Sequence, residues 1–169
     1  LYPKAKIISV EAEKGNFQKL QKNISSYDQI EICHAAIWSE NCKLKLLPAH
    51  DGNNQGWHLK TADDNEKFEM LGLTFQELIK SYKIKSIDIL KVDIEGAEIK
   101  LFENNCDEWI HQVKCIIMEC SDYESPLASS LIFQMLHKAN YTFNTYINGE
   151  NLILVRSDLD WLPKPIRFY

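Results

Sequence analysis

The chain has 169 residues, 45% hydrophobic and 25% charged, with a formal net charge of -5. That acidic balance argues against a general nucleic-acid binder, which needs a basic face. No apolar run approaches the roughly 20 residues of a membrane span, and no secretory signal is visible, so neither nucleic acid nor a membrane is expected as a partner.

The length predicts a single domain over 1–169. The five cysteines, Cys33, Cys42, Cys106, Cys115 and Cys120, form no CxxC pair. They offer neither a metal cluster nor a disulfide framework, and reduced thiols in a cytoplasmic setting are the expectation. The opening "LYPKAKIISV" lacks Met and is almost inside an apolar strand. The reading therefore expects a natural beginning upstream of Leu1.

"KIISVEAE" predicts a first strand over Ile7–Glu11, apolar enough to be buried on both faces. A helix is predicted from Asn16 to Ile24, with Asn16 as N-cap and Phe17, Leu20 and Ile24 on one face. "IEICHAAIW" predicts a strand over Ile30–His34, followed by a turn into Ile37 and Trp38. "KLKLL" alternates as a half-exposed strand does. Residues 48–67 are polar and loop-like, enclosing a short strand at Trp57–Lys60. A loop of that length in a compact domain is usually functional. Thr74 and Glu77 form a T-x-x-E capping box for a helix reaching Tyr82.

"ILKVDIEGAEIK", residues 89–100, carries an apolar strand, Ile87–Val92, straight into Asp93, Glu95 and Glu98. A helix is predicted over Ala97–Phe102. "VKCIIME" predicts a buried strand, Val113–Glu119. Pro126 suits the first turn of a further helix, with Leu127, Leu131 and Met135 along one face. "YTFNTYINGENLILVR" predicts an antiparallel hairpin around Asn148-Gly149. The tail, 157–169, is expected on the surface.

Strands alternating with helices predict an α/β domain: Rossmann-like, a mostly parallel doubly wound sheet with a C-terminal antiparallel hairpin. Ligands in such sheets sit beyond the carboxyl ends of the strands. Glu11, Asp93, Glu95 and Glu119 all fall near predicted strand ends. Glu11 is a candidate for accepting hydrogen bonds from both hydroxyls of a ribose, against a solvated turn residue. Asp93 and Glu95 could serve as general bases, ligate a cation or cap a helix. Capping suits Glu98 best, because it falls in a first turn. Glu119 either faces the same pocket or pairs with a lysine. His34, before Ala35-Ala36, is read as a turn residue. Trp38 and Trp57 are assigned to packing, and His50 and His58 are weak candidates for substrate contacts.

At "IISVEAEKGNFQKLQKN", "HAAIWSE", "LTFQELI", "IDILKVDIEGAE" and "IIMEC" the chain resembles the FkbM-type methyltransferases, which have the class I methyltransferase fold. The likeness runs from about Lys6 to Arg156, and "VDIEGAE" is its most specific piece. The resemblance implies S-adenosylmethionine as cofactor. It implies that Glu11 holds the ribose, that Ala36 and Ile37 line the adenine pocket, and that Asp93 and Glu95 lie nearest the transferred methyl. It implies O-methylation of a hydroxyl on a sugar or natural-product type small molecule. Glu119 and His58 would then face that acceptor. The family also carries a glycine-rich turn after its first strand. None of the six glycines here is spaced G-x-G, so that strand and turn are expected upstream.

Two other readings compete. Asp93-Ile94-Glu95 is also the D-x-E string of a metal-dependent sugar-nucleotide transferase, which would hold a divalent cation against a diphosphate. A Rossmann-like module without its cofactor loop would bind a partner and catalyse nothing.

Overall fold

The structure is a computed structural model that describes residues 4–48, 57–63, 67, 69–94, 97–120, 122 and 126–159. The chain divides into two compact units, Leu1–Ser81 and Tyr82–Tyr169.

In the first unit, β1 (Ile7–Glu11) pairs in parallel with β2 (Ile30–His34), with Glu11 opposite His34. The helix between them, α1 (Lys14–Asn23), presents Phe17 and Leu20 half-buried, the face its sequence spacing predicts. Its cap differs from the expected Asn16. Glu13 is the N-cap, and its carboxylate accepts from the Gly15 and Asn16 N–H groups at 2.7 and 2.6 Å. The helix therefore starts earlier than its apolar spacing suggests, because a longer carboxylate takes up the first orphan donors.

A second sheet has the order β3-β6-β4-β5, from β3 (Ala36–Ile37), β4 (Cys42–Pro48), β5 (Trp57–Thr61) and β6 (Met70–Leu73). β6 was not foreseen: "MLGL" is short and carries a glycine, which weakens a strand signal. Ala36, Leu44 and Met70 form the core here, with Trp38 packed against it. Helix α2 (Phe75–Ser81) buries Phe75, Leu78 and Ile79. The capping box is realised in its first half, the Glu77 N–H donating to Thr74 Oγ1 at 3.1 Å.

In the second unit the order is β7-β8-β10-β9. These are β7 (Leu90–Val92), β8 (Cys115–Glu119), β9 (Phe143–Asn148) and β10 (Asn151–Arg156). β7 runs parallel to β8, while β10 is antiparallel to both β8 and β9. Between β7 and β8 lie α3 (Glu98–Glu103) and two single 3-10 turns, Cys106–Glu108 and Ile110–Gln112. Helix α4 (Ala128–Lys138) follows β8. Ile116, Met118, Leu154, Ile132 and Leu136 are fully buried.

Sequence and structure differ at three places in this unit. Pro126 precedes α4 and is not inside its first turn, because Leu127 takes a left-handed φ of 69° before the helix begins. The buried stripe is then Ala128, Ile132 and Leu136, one residue on from the predicted one, and Leu127 and Leu131 are exposed. The hairpin is centred on Gly149-Glu150, since Asn148 pairs directly with Asn151, and Gly149 takes a φ of 61°. Parallel pairing does not predominate: β1–β2, β3–β6 and β7–β8 are parallel, against four antiparallel ladders among the described residues. The fold is thus mixed α/β. Among the described residues no helix is long and apolar enough to cross a membrane.

Gly72 marks the tightest packing in the small sheet. A Cβ there would meet Cys42 Sγ and Leu44 Cδ1 at 2.9 Å each. Gly72→Ala is expected to destabilise by about 1–3 kcal/mol through overpacking, read as a lower urea midpoint at unchanged slope.

Candidate functional site

In the second unit, Val92 is paired with Met118, so the two parallel strands β7 and β8 finish at the same sheet end. Both residues are buried, at 3% and 0%. The next residues, Asp93 and Glu119, therefore emerge there together. Asp93 is exposed and Glu119 half-buried. Lys91, two residues earlier on β7 and on the same face as Asp93, places Nζ 3.4 Å from Asp93 Oδ2 and 3.0 Å from Asn151 Oδ1. Lysine thus meets Asp93 and not Glu119 among the described ion pairs. Lys91 and Asp93 are 46% and 51% exposed, so the pair adds little stability and serves to fix the carboxylate's position.

Behind this rim, Glu98 occupies the first turn of α3, as its spacing predicts, but is only 1% exposed. Cys120, the residue after Glu119, has its thiol pushed up to about 11 by burial, then by the negative charges of Asp122 and Glu98. Burial also raises Cys42, Cys106 and Cys115. Burial thus disfavours the thiolate at these four positions.

Asp122 has a structural duty that the sequence did not disclose. Its carboxylate accepts from Ser129 Oγ at 2.6 Å and from the Ser129 N–H at 2.8 Å, capping α4 from seven residues upstream. Leu127, at the N-cap position, provides no side-chain cap. Those bonds hold the Asp122 carboxyl below its ordinary value.

In the first unit, Glu11 ends β1 half-buried, and its Oε1 accepts from the Glu13 N–H at 2.8 Å. His34, across the ladder, stacks on Phe17 with ring centroids 4.5 Å apart and hydrogen-bonds the Ala12 carbonyl at 3.2 Å. Its turn role is thus satisfied. Ala35 and Ala36 are buried at 2% and 4%, and Ile37 is half-buried. Ala36 belongs to the Leu44–Met70 cluster and is closed to solvent as a whole residue, so Ile37 is the more accessible of the two. Glu95, Gly96 and His50 lie outside the described residues. His58 is known by its place in β5, opposite Leu47. Among the described residues no three His, Cys, Asp or Glu side chains converge on a metal position.

Sequence reasoning singled out Glu11, Asp93 and Glu119. It missed Lys91 and Asn151. Lys91 reads as an ordinary outward residue in an apolar strand, and Asn151 as part of a turn. Their contact spans 60 residues of sequence and has no local signal.

Three comparisons bear on this arrangement. The family described as "Methyltransferase FkbM domain" matches residues 2–143. A protein of Beauveria bassiana (strain ARSEF 2860) named "Methyltransferase 1" is 21% identical over 192 aligned positions, covering 99% of this chain and 71% of that one. No solved structure matches.

Asp122→Ala should cost about 1 kcal/mol, the usual size of a lost helix cap. The sign with pH follows from the depressed carboxyl. Its contribution is full above the ordinary value of 3.8 and is lost as the pH falls through the lower folded value. The wild-type and variant unfolding midpoints should therefore differ at neutral pH and converge in acid, as read by chemical denaturation across pH.

Proposed function

The chain belongs to the FkbM methyltransferase family, and we propose that it transfers methyl from S-adenosylmethionine to a hydroxyl of a sugar or natural-product type small molecule. The observation that carries the reading is the emergence of Asp93 and Glu119 together from the parallel pair β7–β8, inside the family match. Carboxyl ends of parallel strands are where α/β sheets bind ligands. In this reading residues 1–169 form one methyltransferase-like domain of the Rossmann-like, doubly wound class. The antiparallel β10 between β8 and β9 supports that class.

The residues present suit the cofactor. Glu11 is half-buried at a strand end with one carboxylate oxygen held by the Glu13 N–H. That leaves a fixed acceptor for ribose hydroxyls. Ala36 and Ile37 would line the adenine pocket, Ile37 being the more exposed of the two. When bound, the cofactor supplies an electrophilic methyl group on a sulfonium sulfur.

The chain's own work is positioning and proton transfer. An acceptor oxygen must stand about 3 Å from the methyl, in line with the sulfur. As it attacks, the alcohol must lose its proton to a group within hydrogen-bond reach. Asp93 takes that role in this reading, with Glu95 the second candidate and Lys91 holding Asp93 in place. Glu119 and His58 contribute acceptor contacts.

Calorimetry with S-adenosylhomocysteine tests the cofactor assignment. Glu11→Ala should weaken binding about tenfold or more, the effect of losing a charge-assisted bond. Asp93→Asn should leave cofactor binding intact and lower kcat about 100-fold or more. No cofactor binding by the wild-type protein would sink the reading, and intact turnover in Asp93→Asn would remove Asp93 as the base.

A further inference from the structure

We infer that the cleft at the opposite end of this sheet, lined by His111, Asn140, Tyr141, Thr142, Arg156 and Asp158, binds the phosphate group of a small phosphomonoester. The inference goes beyond the methyl-transfer reading and does not rest on it.

The cleft has a volume of about 300 Å³, at the small end of the range for small-molecule sites. Arg156 closes β10, and its backbone N–H donates to the Lys114 carbonyl, just before β8 begins. Asp93 and Glu119 emerge at the other end of β7 and β8. A five-residue strand separates the two ends by roughly 15 Å. The cleft is therefore a second site and no part of the acidic rim.

Segments far apart in sequence build it: the 3-10 turn at Ile110–Gln112, the connection from α4 to β9, and the end of β10. Tyr141 anchors them. It is 3% exposed, and its hydroxyl donates to the Val113 carbonyl at 3.2 Å.

Arg156 is held in place without being used up. Its Nε donates to Asp158 Oδ1 and its Nη1 to the His111 carbonyl, each at 2.6 Å. Two bonds fix the guanidinium plane, and three of its five N–H groups remain to donate. An arginine–aspartate pair frequently makes two parallel bonds, but Asp158 takes one. The Arg156 side chain is 23% exposed and that of Asp158 is 64% exposed. Water screens the carboxylate more than the cation, so the positive charge prevails inside the cleft.

The neighbours add donors. Among the described residues the Asn140 side-chain amide makes no hydrogen bond. Thr142 Oγ1 accepts from Ser157 Oγ at 2.8 Å, which leaves its own O–H to donate. The spare donors are thus three from Arg156, two from Asn140 and one from Thr142, on side chains from two segments. A carboxylate offers two oxygens in one plane. A phosphomonoester offers three terminal oxygens in a tetrahedral array and at neutral pH only accepts, which suits donors arriving from several directions. The chain's net charge of -5 opposes an anionic membrane surface as the source of that phosphate, and the cleft's size favours a small molecule.

The test uses the full 15N-labelled chain. The Arg156 Nε–H and Asn140 side-chain amide signals are followed by NMR as inorganic phosphate or glycerol 3-phosphate is added. Sodium chloride and sodium acetate at matched ionic strength are the contrasts, and vesicles of phosphatidylcholine with phosphatidic acid form a further arm. Both signals should move saturably with the two phosphates, at a Kd of about 1 mM or tighter, and stay in place with chloride. Asn140→Gly keeps the left-handed backbone, φ 54°, and removes the amide. It and Thr142→Val should each weaken phosphate binding about fivefold. Asp158→Asn keeps an acceptor for Arg156 Nε and removes a negative charge, so it should tighten binding about threefold. Silent signals with both phosphates, or an equal response to chloride, would overturn the site. Unchanged affinity in all three variants would place the phosphate elsewhere and overturn it too. An equal response to acetate would remove phosphate as the ligand class, and a response to vesicles alone would remove the small molecule.

Discussion

Parallel pairing obliges two strands to finish on the same side of a sheet, and the candidate site depends on that constraint. Leu90, Lys91 and Val92 of β7 are in register with Ile116, Ile117 and Met118 of β8. Three of those residues, Val92, Ile116 and Met118, are buried at 3% or less, so burial holds the register. A slip of one residue would turn every side chain to the opposite face. Asp93 and Lys91 would then both leave the face that carries Glu119 and Asn151, and the buried residues would meet water. The same apolar contacts that stabilise the sheet thus determine where its carboxylates stand.

The antiparallel strand β10 adds a second consequence. Because it runs against β8, its beginning lies at the end of β8, and Asn151 faces Glu119. The hairpin turn is thereby returned to the end where Asp93 emerges. Gly149, at a φ of 61°, lets two residues close that turn without strain. A parallel last strand would have needed a long crossover and would have brought a different segment to this edge.

How far the sequence disclosed this follows from the range of each interaction. The strands at Ile7–Glu11 and Ile30–His34 have the predicted bounds because runs rich in Ile and Val are local signals, but the first is not buried on both faces, Ile7 being 44% exposed. The Thr74 cap on the Glu77 N–H is likewise a local signal, acting over three residues, whereas the Thr74 N–H donates to Asn41 Oδ1 from 33 residues away and not to Glu77 as the box expects. The α4 stripe was misjudged by one position because Leu127 adopts a left-handed backbone, a choice its side chain does not announce. Asp122 caps Ser129 from seven residues upstream, beyond the three-residue reach of a capping box, and Lys91 reaches Asn151 only because the sheet brings their strands together. Asp93 and Glu119 were legible because strand-end acidity is a local pattern. Their neighbours across the ladder were not, since cross-strand order is a property of the folded sheet.

The weighing of carboxylates between structural and functional roles can be taken one step further. Capping is the ordinary use of an acidic residue near a helix start, and this chain employs it at Glu13 and Asp122. Each accepts two short bonds from the helix it serves, and each is held below its ordinary value by them. Asp93 does neither. Ala97, the N-cap residue of α3, makes no side-chain cap bond, and the described partner of Asp93 is an exposed lysine that contributes little to folding. A carboxylate placed at the mouth of a parallel pair, with an exposed lysine as its described partner, is poorly accounted for by stability. Its position, where two parallel strands end together, is the kind that binding or proton transfer requires.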